Sequence, residues 1–151
     1  MNPIIRGGFL VNMTKPHYLD KKKRHDIFEK ARAIISCKPE IAFAFLYGSF
    51  LEESVFRDID IGISLKGVDV SGFWDYECML AQQIEAELNQ SVTVEVRVIN
   101  SAPVSFCFQV VRGKLLFARD EEPLLKFMVS IAHRYLDMSP LRRTYMIEAM
   151  T

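Results

Sequence analysis

Asp58 and Asp60 stand two residues apart in the segment Arg57-Asp58-Ile59-Asp60-Ile61. On a strand, residues at i and i+2 project from one face, so the two carboxylates converge while Ile59 points to the opposite side. Paired carboxylates repel each other, and a divalent cation relieves that repulsion. Magnesium takes hard oxygen ligands, usually one or two carboxylates together with substrate phosphates. Upstream, Phe45-Leu46-Tyr47-Gly48-Ser49-Phe50 ends an apolar run on a Gly-Ser turn. Glycine lets a ligand approach the backbone closely. A helical turn beginning there would direct its first N–H groups at an anion, with the Ser49 hydroxyl as a further phosphate contact. Downstream, Glu95 shares a strand face with Thr93 and Arg97. Beside the aspartates it can ligate a second cation and accept the proton of an attacking hydroxyl, as two-metal phosphoryl transfer requires. Arg97 can neutralise phosphate charge or pair with an acid. Each feature alone is ordinary, since an Asp-x-Asp on a strand is most often a solvated face. Their joint order on these elements is specific.

The elements that must position these groups are legible from periodicity. Asp20 caps a helix opened by Lys21-Lys22-Lys23-Arg24 and continued by Ile27, Phe28, Ala31, Ile34 and Ile35 at helical spacing, with Pro39 as its stop. The basic run reads as a solvated helix start. Ile41 to Tyr47 is a continuously apolar buried strand. Asp58 to Leu65 alternates, with Ile59, Ile61, Ile63 and Leu65 inward. Phe73 to Asn89 is a helix capped by Ser71, with Phe73, Tyr76, Leu80, Ile84 and Leu88 as its inner stripe. Ser91 to Asn100 is a second alternating strand with Val92, Val94, Val96 and Val98 inward. Ser101-Ala102-Pro103 opens a helix running to Arg112, where Gly113 stops it. Lys114 to Phe117 is a short strand. Asp120 caps a helix to Asp137, and Ser139-Pro140 opens a last one carrying Arg142, Arg143 and Tyr145. This order predicts an α/β (α+β) domain with a small mixed sheet flanked by helices.

The 151 residues fit one domain. Residues 1–19 are read as a leader, disordered if Met13 is the natural start, and 20–151 as the folded domain with its C-terminal helices. Lys+Arg and Asp+Glu both count 19, a balance that argues against direct nucleic-acid binding, which shows a basic excess. Cys37, Cys78 and Cys107 are odd in number and widely spaced, which argues against a disulfide framework or zinc site and for the cytoplasm. His17, His25 and His133 are scattered, and Trp74 and Tyr76 read as core or interface. No apolar stretch approaches a membrane span. An apolar face on the last helices would suit homo- or hetero-association.

The motif order resembles the polymerase-β-type nucleotidyltransferases: a Gly-Ser pair after a hydrophobic residue, a spacer, Asp-x-Asp, then a third acid on a later strand. By position, Gly48 and Ser49 match the pair that receives the nucleotide, Asp58 and Asp60 the metal-binding aspartates, and Glu95 the third carboxylate. Within that superfamily the chain resembles the minimal nucleotidyltransferases, or MNT proteins. The carrying segments are Val94-Glu95-Val96-Arg97-Val98-Ile99-Asn100-Ser101-Ala102-Pro103, Gly113-Lys114-Leu115-Leu116-Phe117-Ala118-Arg119-Asp120, and Tyr135-Leu136-Asp137 with the final helices. The resemblance implies a polymerase-β-like fold, ATP as substrate, two Mg2+ ions, and a HEPN-type toxin as partner, neutralised by transfer of AMP to a tyrosine. Two departures stand out. The spacer Phe50 to Arg57 is eight residues, shorter than the family's, and reads Leu51-Glu52-Glu53 where the family places Arg-Gly; Arg57 or Arg97 would then face the phosphates. The third carboxylate is Glu, not Asp. Alternatives are a subunit that masks the toxin by contact alone, favoured by the short spacer, and a small-molecule nucleotidyltransferase, for whose extra substrate domain the chain has little room.

Overall fold

The computed structural model describes residues 17–52, 55–56 and 58–150. Its elements are β1 (His17–Tyr18), α1 (Lys21–Ser36), β2 (Ile41–Tyr47), α2 (Ser49–Glu52), β3 (Val55–Phe56), β4 (Asp58–Leu65), a 3-10 turn (Val70–Gly72), α3 (Phe73–Glu87), β5 (Thr93–Val98), α4 (Val104–Val111), β6 (Lys114–Ala118) and α5 (Glu121–Met150). The main sheet has the order β5-β4-β2-β6, and β1 pairs with β3 in a separate two-stranded ribbon. β1 falls within the segment read as a leader; residues 1–16, with Met13, lie outside the described residues.

β2 is continuously apolar because it is central and covered on both faces. Its Ile41, Ala44 and Leu46 join the core beneath α1 and α3, whereas Phe43 and Phe45 join a second core beneath α4 and α5. β4 pairs antiparallel with β2 and parallel with β5. The expected alternation holds on both strands: Ile59, Ile61, Ile63 and Leu65 of β4, and Val94, Val96 and Val98 of β5, enter the first core. The opposite face of β4 carries Asp58 and Asp60 and then Gly62, where an added Cβ would lie 2.6 Å from Val110 Cγ1. Helix α4 therefore sits directly on the sheet at Gly62.

The outer edge of β5 is covered by carboxylates from α3. Glu85 accepts the Val94 N–H at 2.8 Å and Glu77 accepts the Val98 N–H at 2.7 Å. Beyond the strand, the Asn100 amide pairs with both the N–H and the carbonyl of Leu65 and extends the parallel ladder. Glu85 is buried, so Glu85→Ala strands a buried donor. It is expected to destabilise the fold by about 1–3 kcal/mol, visible as a lower urea midpoint at unchanged slope; an unchanged midpoint would contradict the role given to Glu85.

Several local expectations are corrected. Asp20 does cap α1, accepting from the Lys23 N–H at 2.9 Å, but Ser71 does not cap α3. Gly72 occupies that position and the Ser71 hydroxyl donates instead to Asp69 at 2.6 Å, a nearer acceptor offered by the 3-10 turn. Pro103 occupies the N-cap of α4 rather than its first turn. The separate final helix is not present: α5 runs unbroken for 30 residues through Ser139-Pro140. Proline's fixed φ is helical, so it removes one hydrogen bond and bends a helix without having to end it. The side chains of Arg142, Arg143 and Tyr145 lie outside the described residues. Leu125, Val129, Leu136 and Ile147 of α5 are exposed. Among the described residues no helix is long and apolar enough to cross a membrane.

Candidate active site

Parallel pairing of β4 with β5 sets Asp60 opposite Glu95 and Asp58 opposite Thr93. The three acids share one sheet face, and carboxylate oxygens of Asp58, Asp60 and Glu95 all lie within 4.8 Å of one another. Burial, with the charges of Glu95 and Asp58, pushes the Asp60 carboxyl up to about 6, partly offset by Arg97. Arg97 donates to Glu95 at 3.0 Å, in a pair about half exposed on both sides. Three hard oxygen donors in mutual repulsion are the chemistry a divalent cation satisfies, so the residues present fit such an ion.

The Gly-Ser turn adjoins this cluster because Tyr47 pairs with Asp60 in register. Gly48 has φ +82°, and a Cβ there would lie 2.5 Å from Asp60 Oδ2. The absent side chain is what admits the carboxylate. α2 follows at once, with the Gly48 carbonyl accepting from Leu51 and Glu52. Tyr47 packs edge-on against Phe106 with ring centroids 5.7 Å apart. Burial, then Asp60 and Glu95, raises its hydroxyl well above the ordinary tyrosine range, keeping it neutral.

Residues not singled out in the sequence support this turn. Arg24 is set apart from the exposed Lys21-Lys22-Lys23 run: its guanidinium donates to the carbonyls of Leu19 and Phe50 and lies over the rings of Phe50 and Phe56. It ties the start of α1 to α2. A cavity of about 420 Å³ beside Gly48 is lined by Tyr47, Glu52, Gln109, Arg112 and Lys114. The only local signal for the two cations was their place on either side of Gly113. Arg57 and Glu53 lie outside the described residues. Trp74, read as core or interface, is 72% exposed. The Tyr76 hydroxyl donates to Glu40 at 2.8 Å, and His133 is exposed on α5.

A carboxylate triad beside a tight glycine turn can hold a divalent cation against a phosphate. The chain belongs to the Polymerase beta, Nucleotidyltransferase family, whose model matches residues 29–122. Comparison with curated proteins finds no match. Among solved structures, the complex of a tri-AMPylated Shewanella oneidensis HEPN toxin with an MNT antitoxin is similar at a TM-score of 0.62 and 22% identity, over 85% of this chain and 99% of that one. A toxin–antitoxin complex with AMP-PNP gives 0.59 and 24% over 85% and 98%. The MntA-HepT toxin–antitoxin complex gives 0.57 and 22% over 87% and 100%. At these identities the likeness is one of fold.

Proposed function

We propose that this chain transfers AMP from ATP to a tyrosine hydroxyl of a HEPN-type toxin and so acts as its antitoxin in the cytoplasm. The observation that carries the reading is the convergence of Asp58, Asp60 and Glu95 beside Gly48. Family membership supports it, as does the fold shared with MNT antitoxins, one in complex with an AMPylated toxin. Asp58, Asp60 and Glu95 would hold two Mg2+ ions, which when bound neutralise phosphate charge and acidify the attacking hydroxyl. Gly48 and Ser49 receive the triphosphate, with Arg97 and Arg57 as phosphate partners. The acceptor oxygen forms a bond to the α-phosphorus, and the bond from that phosphorus to the pyrophosphate oxygen breaks with its electron pair. The hydroxyl proton passes to Glu95, and Arg97 exchanges its contact with Glu95 for the phosphate.

The test is incubation with α-labelled ATP, magnesium and a HEPN-type protein. Label on a tyrosine of that protein supports the reading; absence of label while a tight complex forms overturns it in favour of masking by contact. Glu52 on the wall of the Gly48 cavity is the observation that favours this second reading, since it offsets one of the two cations, Arg112 and Lys114, that would face a triphosphate. Gly48→Ala forces both a disfavoured φ, costing about 1–2 kcal/mol, and a displaced Asp60. It is expected to lower the transfer rate about a hundredfold, the cost of misplacing a reacting group by about 1 Å, while circular dichroism still reports a folded protein. Transfer at the wild-type rate would remove Gly48 from the site.

A further inference from the structure

A second cleft of about 420 Å³ runs along the outer edge of β5. Trp74, Cys78, Ala81 and Gln82 of α3 form one wall, and Glu95 and Arg97 of β5 form the other. Their spacing places Trp74, Cys78 and Gln82 on one stripe of α3, beside the buried stripe of Leu80 and Ile84 that anchors the helix to the sheet. In the sheet order β5-β4-β2-β6 this cleft and the Gly48 cavity lie on opposite sides of Asp58 and Asp60. The edge cleft shares Glu95 with the carboxylate cluster.

Resting on the nucleotidyl-transfer reading, we infer that this edge cleft docks the acceptor polypeptide, with Trp74 as its aromatic anchor and Glu95 facing the target hydroxyl. In-line displacement needs the attacking and leaving oxygens on opposite sides of the phosphorus, and the two cavities supply opposite approaches. Charge decides which is which. The Gly48 cavity sets Arg112 and Lys114 against Glu52, so it suits a polyanion. The edge cleft sets Glu77, Glu85 and Glu95 against Arg97, so it repels a triphosphate and suits a hydroxyl flanked by neutral or basic residues. Trp74 is 72% exposed and plays no part in the buried core. A large aromatic on the rim of a site is the residue type that most often carries binding energy. The β5 N–H groups of Val94 and Val98 are already taken by Glu85 and Glu77. The acceptor is therefore gripped through side chains rather than added as a further strand.

The experiment uses Trp74→Ala and Trp74→Phe, whose exposure spares the fold, with labelled ATP, magnesium and the same HEPN-type protein. Trp74→Ala is expected to raise the KM for the acceptor about tenfold while the KM for ATP and the kcat at saturating acceptor stay within about twofold of wild type. Trp74→Phe restores most of the loss. Trp74 is also the single tryptophan of the chain, so acrylamide quenching reads the cleft directly. Mg-ATP alone is expected to leave quenching unchanged, and an acceptor with its own tryptophans replaced by phenylalanine to reduce it. Protection by Mg-ATP alone would place the adenine in the cleft and overturn the inference. So would an unchanged acceptor KM in Trp74→Ala when the wild type transfers label, and in that case the nucleotidyl-transfer reading stands. A wild type that transfers no label removes that reading, and the inference with it.

Discussion

Asp60→Asn is expected to lower nucleotidyl transfer about a thousandfold or more while making the metal-free protein more stable. The first effect follows from charge. A cation held by three carboxylates supplies several kcal/mol of transition-state stabilisation, and about 1.4 kcal/mol is a factor of ten in rate. The second follows from the position of Asp60 between Asp58 and Glu95. Its carboxyl is pushed from 3.8 up to about 6 by burial and by those two acids, so the folded state binds this proton more tightly than the unfolded chain does. The associated stability is fully present below pH 3.8 and is lost as pH rises through about 6. Asparagine removes that slope. Because Asp60 is only partly buried, solvent screening reduces the gain at neutral pH to about 1 kcal/mol, or about 2–4 °C in Tm. Thermal melts in EDTA across pH 4 to 8, repeated with magnesium, separate the effects. Magnesium should raise the wild-type Tm and leave that of Asp60→Asn nearly unmoved. A variant that melts earlier than wild type in EDTA, or keeps more than about a tenth of its transfer rate, would show that Asp60 is a structural acid and not a metal ligand.

Gly113→Ala is expected to be the most destabilising glycine-to-alanine change among the described residues. An added Cβ would lie 2.1 Å from the Leu46 carbonyl oxygen and 3.1 Å from Tyr47 Cα. Both are backbone atoms of the central strand, and the next residue, Lys114, pairs with Leu46 in the sheet. Relief requires β6 to move off β2 or β2 to move within the sheet, and the latter shifts Tyr47 against Asp60. A cost of about 3 kcal/mol or more follows, lowering Tm by roughly ten degrees. At Gly48, by contrast, the group met is the end of the Asp60 side chain, so the damage falls on activity. A Gly113→Ala protein that melts within two or three degrees of wild type would mean that this approach is looser than described.

The sequence made the strands legible where their pattern is local. Alternation in Asp58–Leu65 and Thr93–Val98 fixed which side chains share a face, and that alone places Asp58 and Asp60 together. That Glu95 lands opposite Asp60, and not one residue to either side, depends on interstrand register, which no local pattern encodes. Elements of two to four residues, β1, β3 and α2, are too short for any periodicity to register. Arg24 was indistinguishable from the three lysines before it because the Phe50 carbonyl and the Phe50 and Phe56 rings that hold its guanidinium lie on other elements. Pro140 carried a start signal that a continuous helix overrode. The stacking of Phe108 on Tyr135, with centroids 3.9 Å apart, and the charges around the two cavities likewise come from segments far apart in the chain.

The carboxylates that occupy the rim of β5 bear on how the chain survives its own synthesis. Val92 to Val98 alternates valine with polar residues, a composition whose open edge would template stacking between chains. Glu77 and Glu85 precede that segment in the chain, so the helix that shields it leaves the ribosome first, and the strand emerges with its blocking groups already made. Loss of Glu85 should therefore appear as inclusion bodies during expression, in addition to the lowered urea midpoint of the purified protein.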